Sequence, residues 1–228
     1  MTTQRALERI GYPVVWTLAG IGIVAAMSRY LLPHDLHLAM TKVLYGPYAT
    51  EQLPVLASHP ITEFIHRCGG FLYMTLAPLQ FMPSIRTRHL NFHRWAGRLL
   101  VALSLVGGTS ALVMVTRYPY AGVRESIPTY FFGIIFLYST IKAFLHVRRG
   151  EVALHRAWMI RSFAIGLGVS TVRVVYLVCL YATDWAAQES LITSFWLGWS
   201  SSLLVGECWI NYTRPERQRS LVAAAVAD

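Results

Sequence analysis

Long apolar segments separated by short polar connections dominate this chain. A helix needs about 20 mostly apolar residues to cross a bilayer, and six segments meet that standard. They lie at residues 11–32, 61–83, 95–116, 127–145, 157–182 and 190–211. The pattern predicts an all-α, polytopic transmembrane helix bundle with six spans, forming one domain over residues 1–213. The tail at 214–228 is polar and then alanine-rich, and we expect it to be poorly ordered.

The longest connection, residues 33–60, should be irregular because it contains a Gly-Pro pair and further prolines. Within it we expect an interfacial helix around residues 35–45. His34, His37 and His59 fall in this connection, and we expect all three to be solvated.

Composition supports lipid as the solvent. Only 14% of the 228 residues are charged, whereas soluble domains have about 25%. The net charge of +9 does not indicate nucleic acid, because six spans place most Lys and Arg residues on one side. This is the positive-inside pattern. It predicts an inner (plasma) membrane protein with both termini cytoplasmic, whose main partner is the lipid bilayer.

Four of the six segments contain polar and small residues at steps of three or four, which places them on one helix face. Such faces should point into the bundle interior. They are Thr62, His66, Gly70, Tyr73, Ala77 and Gln80 in the second span; His93, Gly97, Leu100, Ser104, Gly107 and Ala111 in the third; His155, Met159, Ser162, Gly166, Ser170 and Arg173 in the fifth; and Trp196, Ser200, Leu203, Glu207 and Asn211 in the sixth. The first and fourth spans lack such a face, so we expect them to be peripheral.

Three His-Arg pairs begin at His66, His93 and His155. The predicted topology puts His93 and His155 near the cytoplasmic face, with Glu207 nearby, and His66 toward the outer face. Two histidines on facing helices suit bis-histidine ligation of haem b. In that arrangement Arg98 and Arg161 would pair with the propionates. His66 would be a separate outer-side ligand or proton-transfer group.

Two alternatives to haem stay open. His93, His155 and Glu207 form a donor set that suits non-haem iron or copper. Histidine and arginine at helix ends also snorkel to the interface without any ligand. Arg173 is different because it lies mid-span, where a charge needs a partner. It is either a ligand contact or a structural polar hub, and we expect both Arg173 and Glu207 to point into the bundle.

These features favour a membrane redox protein that uses haem or a metal and exchanges electrons with quinone or with another membrane redox protein. The alternative is a non-redox transporter or partner subunit, whose polar faces bind an anionic substrate or another helix. The sequence contains no phosphate loop, nucleophile elbow or HExxH motif, and it leaves open whether the protein is an enzyme.

Several segments resemble a family of predicted bacterial membrane proteins, domain of unknown function 2306. They are Pro78–Phe81, His93–Arg98, Arg149–Ser162, Trp196–Trp199 and the region of Glu207. The resemblance covers roughly 60–211 and implies a multi-helix membrane fold without an established activity.

A looser similarity, of architecture alone, is to cytochrome b561. In that family spans two and four hold one haem, and spans three and five hold the other. His93 and His155 match the second pairing and His66 matches the span-two position. Span four departs from the pattern because it has no internal histidine.

Overall fold

The computed structural model describes residues 3–45, 58–119 and 122–213, with side chains described from residue 9 onward apart from 44 and 45. Within these ranges the fold is helical throughout and contains no strand. The helices are α1 (Thr3–Leu31), α2 (His34–Tyr45), α3 (Pro60–Phe81), α4 (Pro83–Arg88), α5 (Leu90–Arg117), α6 (Val123–Arg148), α7 (Val152–Ala182) and α8 (Ala187–Tyr212). The expected disorder of the 214–228 tail falls outside the described residues.

Four of these helices are long and apolar enough to cross a membrane: α1 over Arg9–Leu31, and α5, α6 and α7 over their full lengths. The second and sixth predicted spans are also single helices, α3 with 22 residues and α8 with 26. They are less apolar because α3 contains charged residues in its first two turns and α8 contains several serines. The short α2 confirms the helix expected around residues 35–45.

Helix α7 is the centre of the bundle, where it packs against α8, α6, α1 and α2. Its contact with α8 is close because Gly198 faces its backbone. A Cβ at position 198 would lie 2.6 Å from the Cα of Val172. The remaining helices join through α3, which packs against both α1 and α5, and through α5, which packs against α6.

The predicted interior faces of the second, third and fifth spans are confirmed. Ser162 and Ser170 of α7 are fully buried, and Ser104 of α5 is almost so. The expectation that the fourth span is peripheral was wrong. Its helix, α6, contributes the fully buried Ser139 and Thr140, and the hydroxyls of Thr140 and Ser162 lie 2.8 Å apart.

The predicted interior face of the sixth span was also wrong. Trp196 and Ser200 of α8 are exposed and Glu207 is only partly buried. The buried side instead presents Ser190, Ser194, Gly198, Trp199 and Gly206. Serines occur on both faces of this helix, so polar periodicity could not identify the packed one.

Candidate functional site

A cavity of about 390 Å³ lies between α1, α2, α3, α5, α6, α7 and α8. It occupies the end of the bundle where α1, α5 and α7 finish and α3, α6 and α8 begin, which is the predicted outer end. Most of its wall is apolar. The apolar and aromatic lining residues include Ala25, Met74, Leu103, Phe136, Ile165, Val169, Val172, Phe195 and Trp199.

Glycines shape the cavity wall on α3 and α5. A Cβ built at Gly69, Gly70 or Gly107 would meet no atom within 4 Å. These glycines therefore border open space, in contrast to Gly198, which allows two helices to touch. A larger side chain at any of the three would project into that space.

A buried carboxylate joins two arginines at the polar end of this cavity. Glu63, in the first turn of α3, is only 3% exposed. Arg29 Nη1 on α1 lies 2.8 Å from each of its oxygens, and Arg67 Nε, one helical turn further along α3, lies 2.8 Å from Oε1. Arg67 Nη1 also donates to the Ala25 carbonyl at 3.1 Å. The cluster ties α1 to α3 and has a net charge of +1.

His66 lines the same cavity, and its tautomer follows from its partners. The Ser110 hydroxyl donates its proton to the Gly107 carbonyl at 2.8 Å. Its oxygen, 3.1 Å from His66 Nδ1, must therefore accept a hydrogen bond from that nitrogen. In the neutral imidazole, Nδ1 is thus protonated and Nε2 has the free lone pair.

His37 is the main site residue that sequence reasoning missed. It was expected to be solvated, but it is only 7% exposed and lines the cavity from α2. Neither of its ring nitrogens has a hydrogen-bond partner in the part of the chain that the structure describes. Burial lowers the pKa of His37, and the nearby Arg67 and Arg29 cations lower it further. The ring is therefore neutral at pH 7 and offers one donor and one acceptor.

Arg173 reaches the cavity from α7, as predicted for a residue that points into the bundle. Its Nη1 donates to the Val169 carbonyl of its own helix at 2.7 Å. Glu125, at the start of α6, is a second buried acid of this cavity. The four charged lining residues, Glu63, Arg67, Glu125 and Arg173, sum to zero. The surplus positive charge at the polar end comes from Arg29, which pairs with Glu63 but does not line the cavity.

The histidines of the inner end lie apart from this cavity. His93 and His155 lie in the first turns of α5 and α7, which begin at this end. His155 Nδ1 donates to the Ala143 carbonyl at 2.9 Å, whereas His93 Nδ1 is buried without a partner among the described residues. The neutral His155 ring therefore has its lone pair on Nε2.

The structure does not bring Glu207 into this histidine pair. Its two oxygens accept hydrogen bonds from Arg161 Nε at 2.5 Å and Nη2 at 2.9 Å. Among the described side chains, no three His, Cys, Asp or Glu residues converge as a metal site would require. Arg161 is held by Glu207 and stacks over Trp158, 4.6 Å from the ring centroid, while Arg98 is exposed.

The sequence did contain a signal for the missed cluster. Glu63 and Arg67 are four residues apart on one helix, the spacing of an ion pair. Arg29, at the end of the first span, has no such local signal because it meets them only through packing of α1 on α3.

Residues 63–210 match the model of the DUF2306 family, described as a predicted membrane protein. This match covers more than half of the chain, and the protein belongs to that family. No curated protein and no solved structure matches the chain. The similarity to cytochrome b561 therefore stays an expectation.

Proposed function

Starting from membership of a membrane protein family, we propose that this protein binds a small, mainly apolar molecule in the cavity between its helices. We further propose that α3 and α8 complete a set of six spans in the inner membrane, with both termini cytoplasmic. The cavity would then open toward the outer half of the bilayer. The observation that supports binding is the cavity itself, with its apolar wall and its single polar end.

The lining and the size of this cavity both suit a ligand. Water satisfies the polar end but not the apolar wall, whereas an amphiphilic ligand satisfies both. Binding pockets typically measure about 300–1,000 Å³.

A cavity-filling pair of variants tests this proposal. Gly107→Leu places a side chain in the cavity, and Gly20→Leu is the matched control. Gly20 is also helical with no atom near a built Cβ, but it does not line the cavity. Native mass spectrometry of the protein in lipid nanodiscs should show a retained small molecule in the natural protein and in the control. Retention unaffected by Gly107→Leu would refute the proposal.

Reporter fusions test the proposed topology. Fusions after Ser58 and Gly122 should report the outer side, and fusions after Arg88 and Glu151 the cytoplasm. If α3 does not span, the fusions after Arg88, Gly122 and Glu151 should all report the opposite side. A fusion after Thr213 should report the cytoplasm, and an outer location there alone would mean that α8 does not span.

A second candidate function is electron transfer through haem or a metal at the inner end, as the sequence suggested. The specific observation in its favour is that His93 and His155 lie at the same end of the bundle, in the first turns of α5 and α7. His155 is held by a backbone carbonyl at Nδ1, and such a bond orients a ligating histidine and directs the lone pair of Nε2 outward. Quinone or another membrane redox protein would be the electron partner.

Absorption spectra of the oxidised and reduced protein, with metal analysis of the same sample, test this second candidate. Haem ligation predicts a Soret band that is lost in both His93→Ala and His155→Ala. The band should remain in His66→Ala, which alters a histidine at the opposite end of the bundle. Folded protein from haem-replete cells that is colourless and metal-free would exclude it.

A further inference from the structure

We infer that the ligand of the outer cavity is an apolar monocarboxylate, held at the polar end by Arg67 and His37. This inference rests on the proposed binding function and adds the chemical class of the ligand. It depends on three features of that end: its charge, its uncommitted donors and its unpartnered histidine.

The charge favours one negative group. Arg29 and Arg67 share the single buried carboxylate of Glu63, which leaves the cluster at +1 with both arginines only partly exposed. If α1 and α3 span the membrane as proposed, an uncompensated charge there is costly. A monoanion would neutralise it, whereas a dianionic phosphate would reverse the excess.

The donors suit a group with two oxygens. A guanidinium has five N–H groups, and Arg67 uses its Nε toward Glu63 and its Nη1 toward the Ala25 carbonyl. Its Nη2 makes no hydrogen bond to the described part of the chain. Guanidinium–carboxylate hydrogen bonds are charge-assisted and stronger than neutral ones.

His37 supplies the second, independent sign of a ligand. Buried polar atoms in native proteins are almost always hydrogen-bonded, yet both of its ring nitrogens are buried without a partner among the described residues. Its neutral ring has one N–H to donate to the second oxygen of a carboxylate. The arrangement therefore places a cation and a neutral donor at one end of an apolar cavity.

The cavity volume admits a medium-chain acid. Its 390 Å³ lies within the range of small-molecule pockets, about 300–1,000 Å³. Decanoate, with ten carbons and two oxygens, is a suitable probe. Decanol and decyl phosphate have the same chain with a neutral and a dianionic head.

The test measures binding of radiolabelled decanoate to the full-length protein in phosphatidylcholine nanodiscs at pH 7.5. Unlabelled decanoate should displace the label at least tenfold better than decanol or decyl phosphate. Arg67→Gln should weaken decanoate binding at least tenfold. Arg124→Gln, which alters an exposed arginine outside the cavity, should leave it unchanged.

His37→Phe keeps the inference testable if Arg67→Gln does not fold. This variant retains an aromatic ring, removes the N–H and touches no ion pair, and it should weaken decanoate binding several-fold without affecting decanol.

Equal displacement by decanol, or stronger displacement by decyl phosphate, would overturn the carboxylate assignment. If Gly107→Leu still abolishes the binding of decanol or decyl phosphate in that case, the proposed function survives. Failure of all three probes, with no retained molecule in the natural protein, would overturn both.

Discussion

Replacing Glu63 with glutamine should strongly destabilise the protein. The substitution keeps the shape of the side chain but removes the one charge that two arginines share. Removing one partner of a fully buried ion pair costs about 3–5 kcal/mol. The side chains of Arg29 and Arg67 are 28% and 19% exposed, so they retain some solvation. We therefore expect the free energy of unfolding to decrease by about 2–3 kcal/mol, roughly a 30- to 150-fold change in the unfolding equilibrium.

The chain offers a matched control in Glu189→Gln. Glu189 also lies in the first turn of a helix and also pairs with an arginine, Arg124, at 2.6 Å. Both acids therefore gain equally from the helix dipole. They differ in burial, because Glu189 and Arg124 are 48% and 62% exposed. Exposed ion pairs contribute little, so the control should unfold like the natural protein.

Thermal unfolding in one detergent, followed by loss of the monodisperse peak in size-exclusion chromatography, compares the two variants. The double variant Glu63→Gln/Arg29→Gln should recover part of the loss because it removes one of the two unpaired cations. Equal midpoints for Glu63→Gln and Glu189→Gln would refute the reasoning, since burial is what distinguishes them. A double variant less stable than the single one would refute the charge explanation.

Three further outcomes follow from packing and charge. Gly198→Ala should lower stability by about 1–3 kcal/mol through overpacking against the α7 backbone, whereas Gly20→Ala should not, and thermal midpoints compare them. Glu207→Gln should lower the free energy of unfolding by about 1 kcal/mol or less in the same assay, because Arg161 and Glu207 are 24% and 36% exposed. Folding holds the pKa of His37 below its ordinary 6.5, so the unfolded chain binds the proton more readily. The free energy of unfolding should therefore decrease as the pH is lowered below 6.5. His37→Gln should therefore show a smaller loss between pH 7 and pH 5, and equal losses would contradict this linkage.

Helical content followed from the length of the apolar segments, and the interior faces of three spans followed from periodicity. Lipid favours helices because they satisfy their backbone hydrogen-bonding groups internally. The length of the apolar segments therefore predicts most of the architecture. Periodicity failed for α6 and α8 for a local reason. In α6 the buried Ser139 and Thr140 are adjacent in sequence, so they form no stripe at steps of three or four. In α8 serines occur on both faces, so their spacing does not identify the packed one.

The candidate site was harder to predict because it depends on packing between distant segments. His66 and Arg173 were identified as interior residues, and the structure places both at one cavity. His37 was misplaced because a histidine in a connecting segment is usually solvated, and only the docking of α2 buries it. Glu207 was assigned to the histidines because it lies near the inner end of the sixth span. This position along the helix does not say which way the side chain points, and in the structure the carboxylate pairs with Arg161 instead.

The two sides of the bundle differ in how they are held together, and this difference explains where a cavity is tolerated. Helices in lipid associate through close packing and interhelical hydrogen bonds rather than through the hydrophobic effect. On one side, α8 packs on α7 through Gly198, and Ser202 donates to Thr171 at 2.9 Å. On the other side, the glycines of α3 and α5 border open space, and ion pairs through Glu63 join α1 to α3. Ion pairs thus join α1 to α3 beside the cavity, and a ligand bound as proposed would meet these two helices rather than the close contact at Gly198.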